Sequence, residues 1–81
     1  AYLISTAGYE TTGDACDEGV IGLEVYSPST SIAVGVVLFL DSQYNTPHNG
    51  LNLYWRYLIG RSAYSIKIDY NGIVLAFASC P

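Results

Sequence analysis

From Ile21 onward the apolar residues fall at every second position. Ile21, Leu23 and Val25 alternate with Gly22, Glu24 and Tyr26, the period of a strand with one buried face. Ser27–Thr30 (SPST) reads as a turn. The following SIAVGVVLFL, Ser31–Leu40, is apolar at both parities, which predicts a central strand or one covered by its neighbours. Gly35 in its middle marks a bulge or bend. Asp41–Gly50 (DSQYNTPHNG) is the longest turn-rich stretch and reads as a loop. Leu51, Tyr54, Trp55, Leu58 and Ile59 then recur at helical spacing, predicting a helix of about two to three turns over 51–59. Asn49 would cap its start, and Gly60 would end it in the left-handed conformation. A strand is the competing reading, because Tyr and Trp favour sheets. Tyr64, Ile66, Ile68 and Tyr70 again alternate with polar residues. Asn71-Gly72 supplies a type I′ turn, and Ile73–Phe77 is the return strand of a hairpin. Tyr2–Ile4 adds a short strand.

These elements make one mainly β domain, residues 1–81, with one short helix. Strands with a helix between the third and fourth follow the order of a small five-stranded OB-type barrel. A small β-sandwich or an open α+β sheet are the alternatives.

Composition changes this picture in one respect. The chain has 81 residues, of which 51% are hydrophobic and only 12% charged, about half the usual charged fraction. A domain this small has a marginal core and calls for a crosslink or partner subunits. The charge deficit points the same way, to surface covered by other copies. The net charge is −4 with only Arg56, Arg61 and Lys67 as cations, which argues against nucleic-acid binding. No apolar run approaches the roughly 18 residues of a membrane span. Two cysteines, Cys16 and Cys80, in a short tyrosine-rich chain predict a disulfide and a secreted, extracellular protein. The chain reads as a mature form whose export signal has been removed.

Two stretches carry a family resemblance. TGDACDEGVIGLEV, through Thr12, Gly13, Asp14, Asp17, Glu18, Val20 and Ile21, resembles the opening of the B subunits of subtilase cytotoxin and typhoid toxin, in the pertussis-like branch. WRYLIGRSAYSIKI, through Arg56, Tyr57, Gly60, Ser65, Ile66 and Ile68, is similar to the same family's helix end and following strand. The resemblance covers about a third of the chain. It implies an OB fold, a homopentameric ring, binding of sialylated or other cell-surface glycans, and a catalytic A subunit as a possible partner. Cys16 stands where the family has a glycan-contacting Ser, and a disulfide sulfur is a poor partner for a sugar hydroxyl. Recognition at that position would therefore fall to Asp17, Glu18 and nearby tyrosines, Tyr9 and Tyr26 first.

The remaining chemistry is sparse. Glu10, Asp14, Asp17 and Glu18 do not have the spacing of a calcium loop, and read as a solvated acidic loop; no metal site and no cofactor is expected. The single His48 sits in a Pro-Asn-Gly loop and is expected to be exposed. With both cysteines bridged, no Cys–His nucleophile remains, so no enzyme is expected. Tyr2, Tyr9, Tyr26 and Tyr44 are the tyrosines best placed for a ligand. Tyr54, Trp55 and Tyr57 are assigned to core or an oligomer interface. Trp55-Arg56-Tyr57 also matches the inhibitory tripeptide of small bacterial α-amylase inhibitors. Three functional classes follow: a self-assembling glycan-binding subunit, which leads; the repeating subunit of an extracellular filament or sheath; and a small enzyme inhibitor.

Overall fold

The computed structural model describes residues 1–80. Five strands, β1 (Tyr2–Ser5), β2 (Ile21–Val25), β3 (Leu53–Ile59), β4 (Ser62–Ile68) and β5 (Val74–Ser79), form one antiparallel sheet in the order β2-β1-β3-β4-β5. The single helix, α1 (Thr12–Glu18), lies between β1 and β2. The chain is mainly β with one short helix, as its pattern predicts. The sheet stays open rather than closing into a barrel, and the helix is not where an OB order puts it.

The segment predicted to be helical is β3. Its residues pair in strict register with β4: Trp55 with Ile66, Arg56 with Ser65 and Tyr57 with Tyr64. Both faces of β3 are covered, so apolar residues occur at both parities and counterfeit a helical stripe. Gly60 does adopt the left-handed conformation (φ 58°). It does so as the first residue of the two-residue β3–β4 turn, the place a II′ hairpin reserves for glycine. Asn49 Oδ1 does accept a hydrogen bond, from the Leu51 N–H at 3.0 Å, but it braces a turn rather than a helix.

Ile32–Leu40 is not a central strand. Between Ser27 and Gly50 the chain crosses one sheet face as a cover, with isolated bridges of Tyr26 with Phe39 and Val37 with Ile73 in place of a paired strand. Its apolar character serves burial: Ile32 and Leu38 enter the core beside Ile4, Val25, Trp55, Tyr57, Ile66, Ile68 and Val74. Gly35 (φ 95°) turns the backbone there. The two bridges lie beside the two edge strands at opposite ends of the sheet, so this segment crosses the face diagonally.

The β4–β5 hairpin forms as predicted, with a different turn. Only Gly72 has a positive φ, 85°. Asn71 does not, so the turn is not type I′, which needs both. Asp69 organises it instead. Its carboxylate accepts from the N–H groups of Asn71 (2.8 Å) and Ile73 (2.9 Å). A bulge between Lys67 and Ile68 follows. The extra residue on β5 lets Val74 and Phe77, an odd number apart, both share the core-facing side of the sheet.

On the opposite face sits α1. Thr11 caps it by accepting from the Asp14 N–H at 3.1 Å. Ala15 is fully buried beneath it. Cys16 is joined to Cys80, with Cα atoms 5.6 Å apart across a sequence separation of 64. The predicted crosslink is present, and it ties the helix across the sheet to the end of β5.

Candidate functional site

Two arginines line one cleft near the end of the sheet where β3 turns into β4. The cleft there has a volume of about 380 Å³ and is lined by Arg56, Arg61, Ser62, Ala63, Tyr64, Ser79 and Cys80. Register builds it. Tyr64 lies opposite both Tyr57 and Ser79, so the hairpin turn holding Arg61 and Ser62 stands beside the last residues of β5. Two of the three cations of an acidic chain therefore line one concave surface, while register turns the Tyr64 and Ser79 side chains to the side of Tyr57, away from that of Arg56.

Arg56 is held from both directions. Its backbone N–H donates to Ser5 Oγ at 3.0 Å. Its Nη1 donates to the carbonyl of Gly19 at 3.1 Å, at the C-terminal end of α1. No basic residue stands in the last turn of α1 itself, so Arg56 supplies the cation that helix end favours. Gly19 has to be a glycine: a Cβ there would come within 2.6 Å of Arg56 Cβ. Below the helix, Arg56 Nε and Ser65 Oγ are buried without hydrogen-bond partners. They belong to residues directly opposite one another on β3 and β4. Of these two residues Arg56 also lines the cleft.

The site residues expected from sequence are not gathered in one place. Asp17 and Glu18 are exposed on the outer side of α1. Tyr9 reaches the same helix, its hydroxyl donating to the Glu18 carbonyl at 3.0 Å. Tyr26 lies just beyond β2 and donates to the Glu24 carboxylate at 3.2 Å. That hydrogen bond, and then the negative charge of Glu24, raise its pKa above the ordinary value. Tyr26 is a full strand length, roughly 16 Å, from the end of α1. Tyr2 and Tyr44 direct their hydroxyls to the carbonyls of Ser29 and Ser27. Among the described residues no three His, Cys, Asp or Glu side chains converge as metal ligands.

Burial bears on three other readings, choosing core over interface for Trp55 and Tyr57 and overturning the exposed His48. Trp55 and Tyr57 are 5% and 3% exposed and belong to the core, so neither presents a surface to another subunit; Tyr54 is half-buried beneath Lys67, whose Nζ is 5.5 Å from its ring centre. Trp55-Arg56-Tyr57 runs along a strand with its two rings turned inward, not across a turn that offers them to an enzyme. His48 is not exposed. It is buried against Trp55, ring centres 4.6 Å apart at 79°, and desolvation lowers its pKa below the ordinary 6.5.

The arginine cleft was missed because its parts are far apart in sequence and meet only through register. The one local signal was the pair Arg56 and Arg61, flanking a glycine that a hairpin turn needs. No helix among the described residues is long and apolar enough to cross a membrane. In comparisons with known proteins, no family model, no curated protein and no solved structure matches the chain.

Proposed function

We propose that this is a secreted, non-enzymatic, self-assembling subunit that binds cell-surface glycans, and that its cleft takes an acidic group of the sugar. The observation that carries the reading is the pairing of Arg56 and Arg61 in one concave surface with Ser62, Tyr64 and Ser79. A guanidinium fork matches a carboxylate in two parallel hydrogen bonds. An acidic protein would repel anions everywhere else, so clustering its cations makes the cleft selective. The Cys16–Cys80 bond is consistent with an extracellular setting. The stretches resembling toxin B subunits support glycan as the ligand class, with a pentameric ring and an A subunit as the arrangement that resemblance implies. Recognition moves from the α1 position, where Cys16 is committed to the crosslink, to the sheet end. Several copies would convert weak single sites into useful avidity.

A glycan array tests this directly, run with the wild type and with Arg61→Glu. Arg61 is exposed at the hairpin turn, so the charge reversal leaves the core untouched. Acidic glycans should bind better than their neutral counterparts, weaken with salt, and lose at least about tenfold in affinity in the variant, the effect of one charge-assisted contact. Absence of binding by folded, disulfide-bonded protein would remove the lectin reading. Self-assembly without a glycan ligand would then remain.

A further inference from the structure

The two edges of the sheet are unequal. At β2 the edge is guarded: the strand is five residues long, carries Glu24, and continues into Tyr26, which exchanges backbone hydrogen bonds with Phe39 (2.8 Å each way). At β5 the cover stops early. Val74 is bonded by Gly35 and Val36, Gly35 N–H to Val74 O at 2.8 Å and Val74 N–H to Val36 O at 2.9 Å. Beyond Val74 no outer neighbour among the described residues pairs with the strand in the sheet. From Gly72 to Cys80 there is no charge and no proline, the residues by which exposed edges are normally protected. Leu75 is 45% exposed and Phe77 37%.

The Cys80 N–H points inward to the Ala63 carbonyl at 2.9 Å. By the alternation of a strand, Phe77 and Ser79 direct their N–H and C=O groups outward. A row of rings leads to the same place: Tyr2 against Tyr57 (6.1 Å), Tyr57 against Tyr64 (6.0 Å) and Tyr64 against Phe77 (4.8 Å). The row crosses the sheet and ends at a half-exposed ring on an unpaired edge.

We infer that β5 is a self-pairing edge: two copies join antiparallel across a two-fold axis at Phe77, making one ten-stranded sheet. Three features select a second copy as occupant. The pairing needs no complementary charge, since the strand has none. Centring it on Phe77 sets ring against ring and continues the aromatic row into the partner. The guarded β2 edge cannot receive β5, which excludes head-to-tail growth through the strands and leaves the isologous contact, which closes after two copies. This deepens the self-assembly in the proposed function and gives it a two-fold contact in place of the ring that the resemblance implies; it does not depend on glycan binding.

In this pairing Leu75 lies opposite Ser79 of the second copy. Leu75→Lys with Ser79→Lys therefore places like charges together at both ends of the contact, and Leu75→Glu with Ser79→Lys places opposite ones. Native mass spectrometry and sedimentation should find the wild type at twice the 8.8 kDa chain mass. The dissociation constant should rise at least about tenfold in the double-lysine variant, as expected for a lysine-guarded edge, and return towards wild type in the Glu/Lys variant. Amide exchange at Phe77 and Ser79 should slow with protein concentration. Circular dichroism and an intact disulfide would verify that each variant is folded. A wild type that stays monomeric at about millimolar concentration, dimers indifferent to the charge swap, or a five-membered ring with freely exchanging β5 amides would each overturn the inference. Glycan binding by Leu75→Lys alone, which guards the edge without altering a residue of the cleft, separates this outcome from failure of the lectin reading.

Discussion

Arg56 Nη1 donates to the carbonyl of Gly19 across 3.1 Å, joining the middle of β3 to the residue that ends α1. The contact does two things. It satisfies a carbonyl that the helix leaves open, and it fixes a guanidinium at the cleft. Arg56→Ala should therefore cost about 2 kcal/mol, since Gly19 is buried and its carbonyl would lose a charged partner. Arg56→Lys should recover part of that stability but not ligand affinity, because an ammonium lacks the planar fork. Chemical denaturation and glycan titration of the two variants would measure the split.

Burial of His48 makes stability depend on pH. Its folded pKa lies below 6.5 through desolvation, so the unfolded chain takes up a proton more readily than the native one. Stability from the neutral imidazole is full above pH 6.5. It is lost as pH falls from 6.5 towards the lowered native value, with a slope of at most about 1.4 kcal/mol per pH unit. His48→Phe keeps an aromatic edge against Trp55 and should flatten that part of the profile. Thermal melts at intervals between pH 7.5 and 5 would reveal it. A wild-type profile unchanged by the substitution would show that other groups govern the window.

Much of the fold could be read from the chain where one face alone is buried. β2 and the β4–β5 hairpin show clean alternation, and Asn71-Gly72 marked the turn correctly while misleading about its type. Alternation failed where both faces are covered. β3 lies between α1 and the 27–50 segment, so Leu53, Trp55 and Tyr57 are apolar on one side and Tyr54 and Leu58 on the other. The same chemistry misassigned Ile32–Leu40: a segment that caps a core needs Ile32 and Leu38 just as a central strand would. α1 has almost no apolar stripe, only Ala15 facing inward. Its legible mark was Thr11 three residues before Asp14, an N-terminal capping pattern. The cleft was hidden for a different reason. Its residues come from β3, the hairpin turn and the end of β5, and register is a long-range property.

Gly72 combines two demands that no other residue meets. Its φ of 85° lies in the left-handed region, and a Cβ there would approach the Leu38 carbonyl to 2.6 Å. Gly72→Ala should cost about 2 kcal/mol or more from turn strain and displacement of the covering segment. The Leu38 N–H donates to the Gly72 carbonyl at 2.8 Å. Faster exchange of that amide, with β3 amides unchanged, is the expected signature of a local effect. Uniform acceleration would instead indicate global destabilisation.

The disulfide offers the sharpest separation of staple from site. Closing a loop of 64 residues contributes at most about 4 kcal/mol by restricting the unfolded chain, a large share of the stability of so small a domain. Yet the bond anchors only α1, and the core cluster of Ile4, Val25, Trp55, Ile66 and Ile68 lies on the other face. Cys16→Ala with Cys80→Ala should therefore lower the melting temperature and speed exchange in Thr12–Glu18 more than in β3 and β4. Freeing α1 also weakens the hold of the Gly19 carbonyl on Arg56 and admits water to Ser65 Oγ. Ligand affinity should then fall together with helix protection, although neither cysteine carries the recognition chemistry. Full affinity in a folded variant with an unprotected α1 would mean that Arg61 suffices without a positioned Arg56.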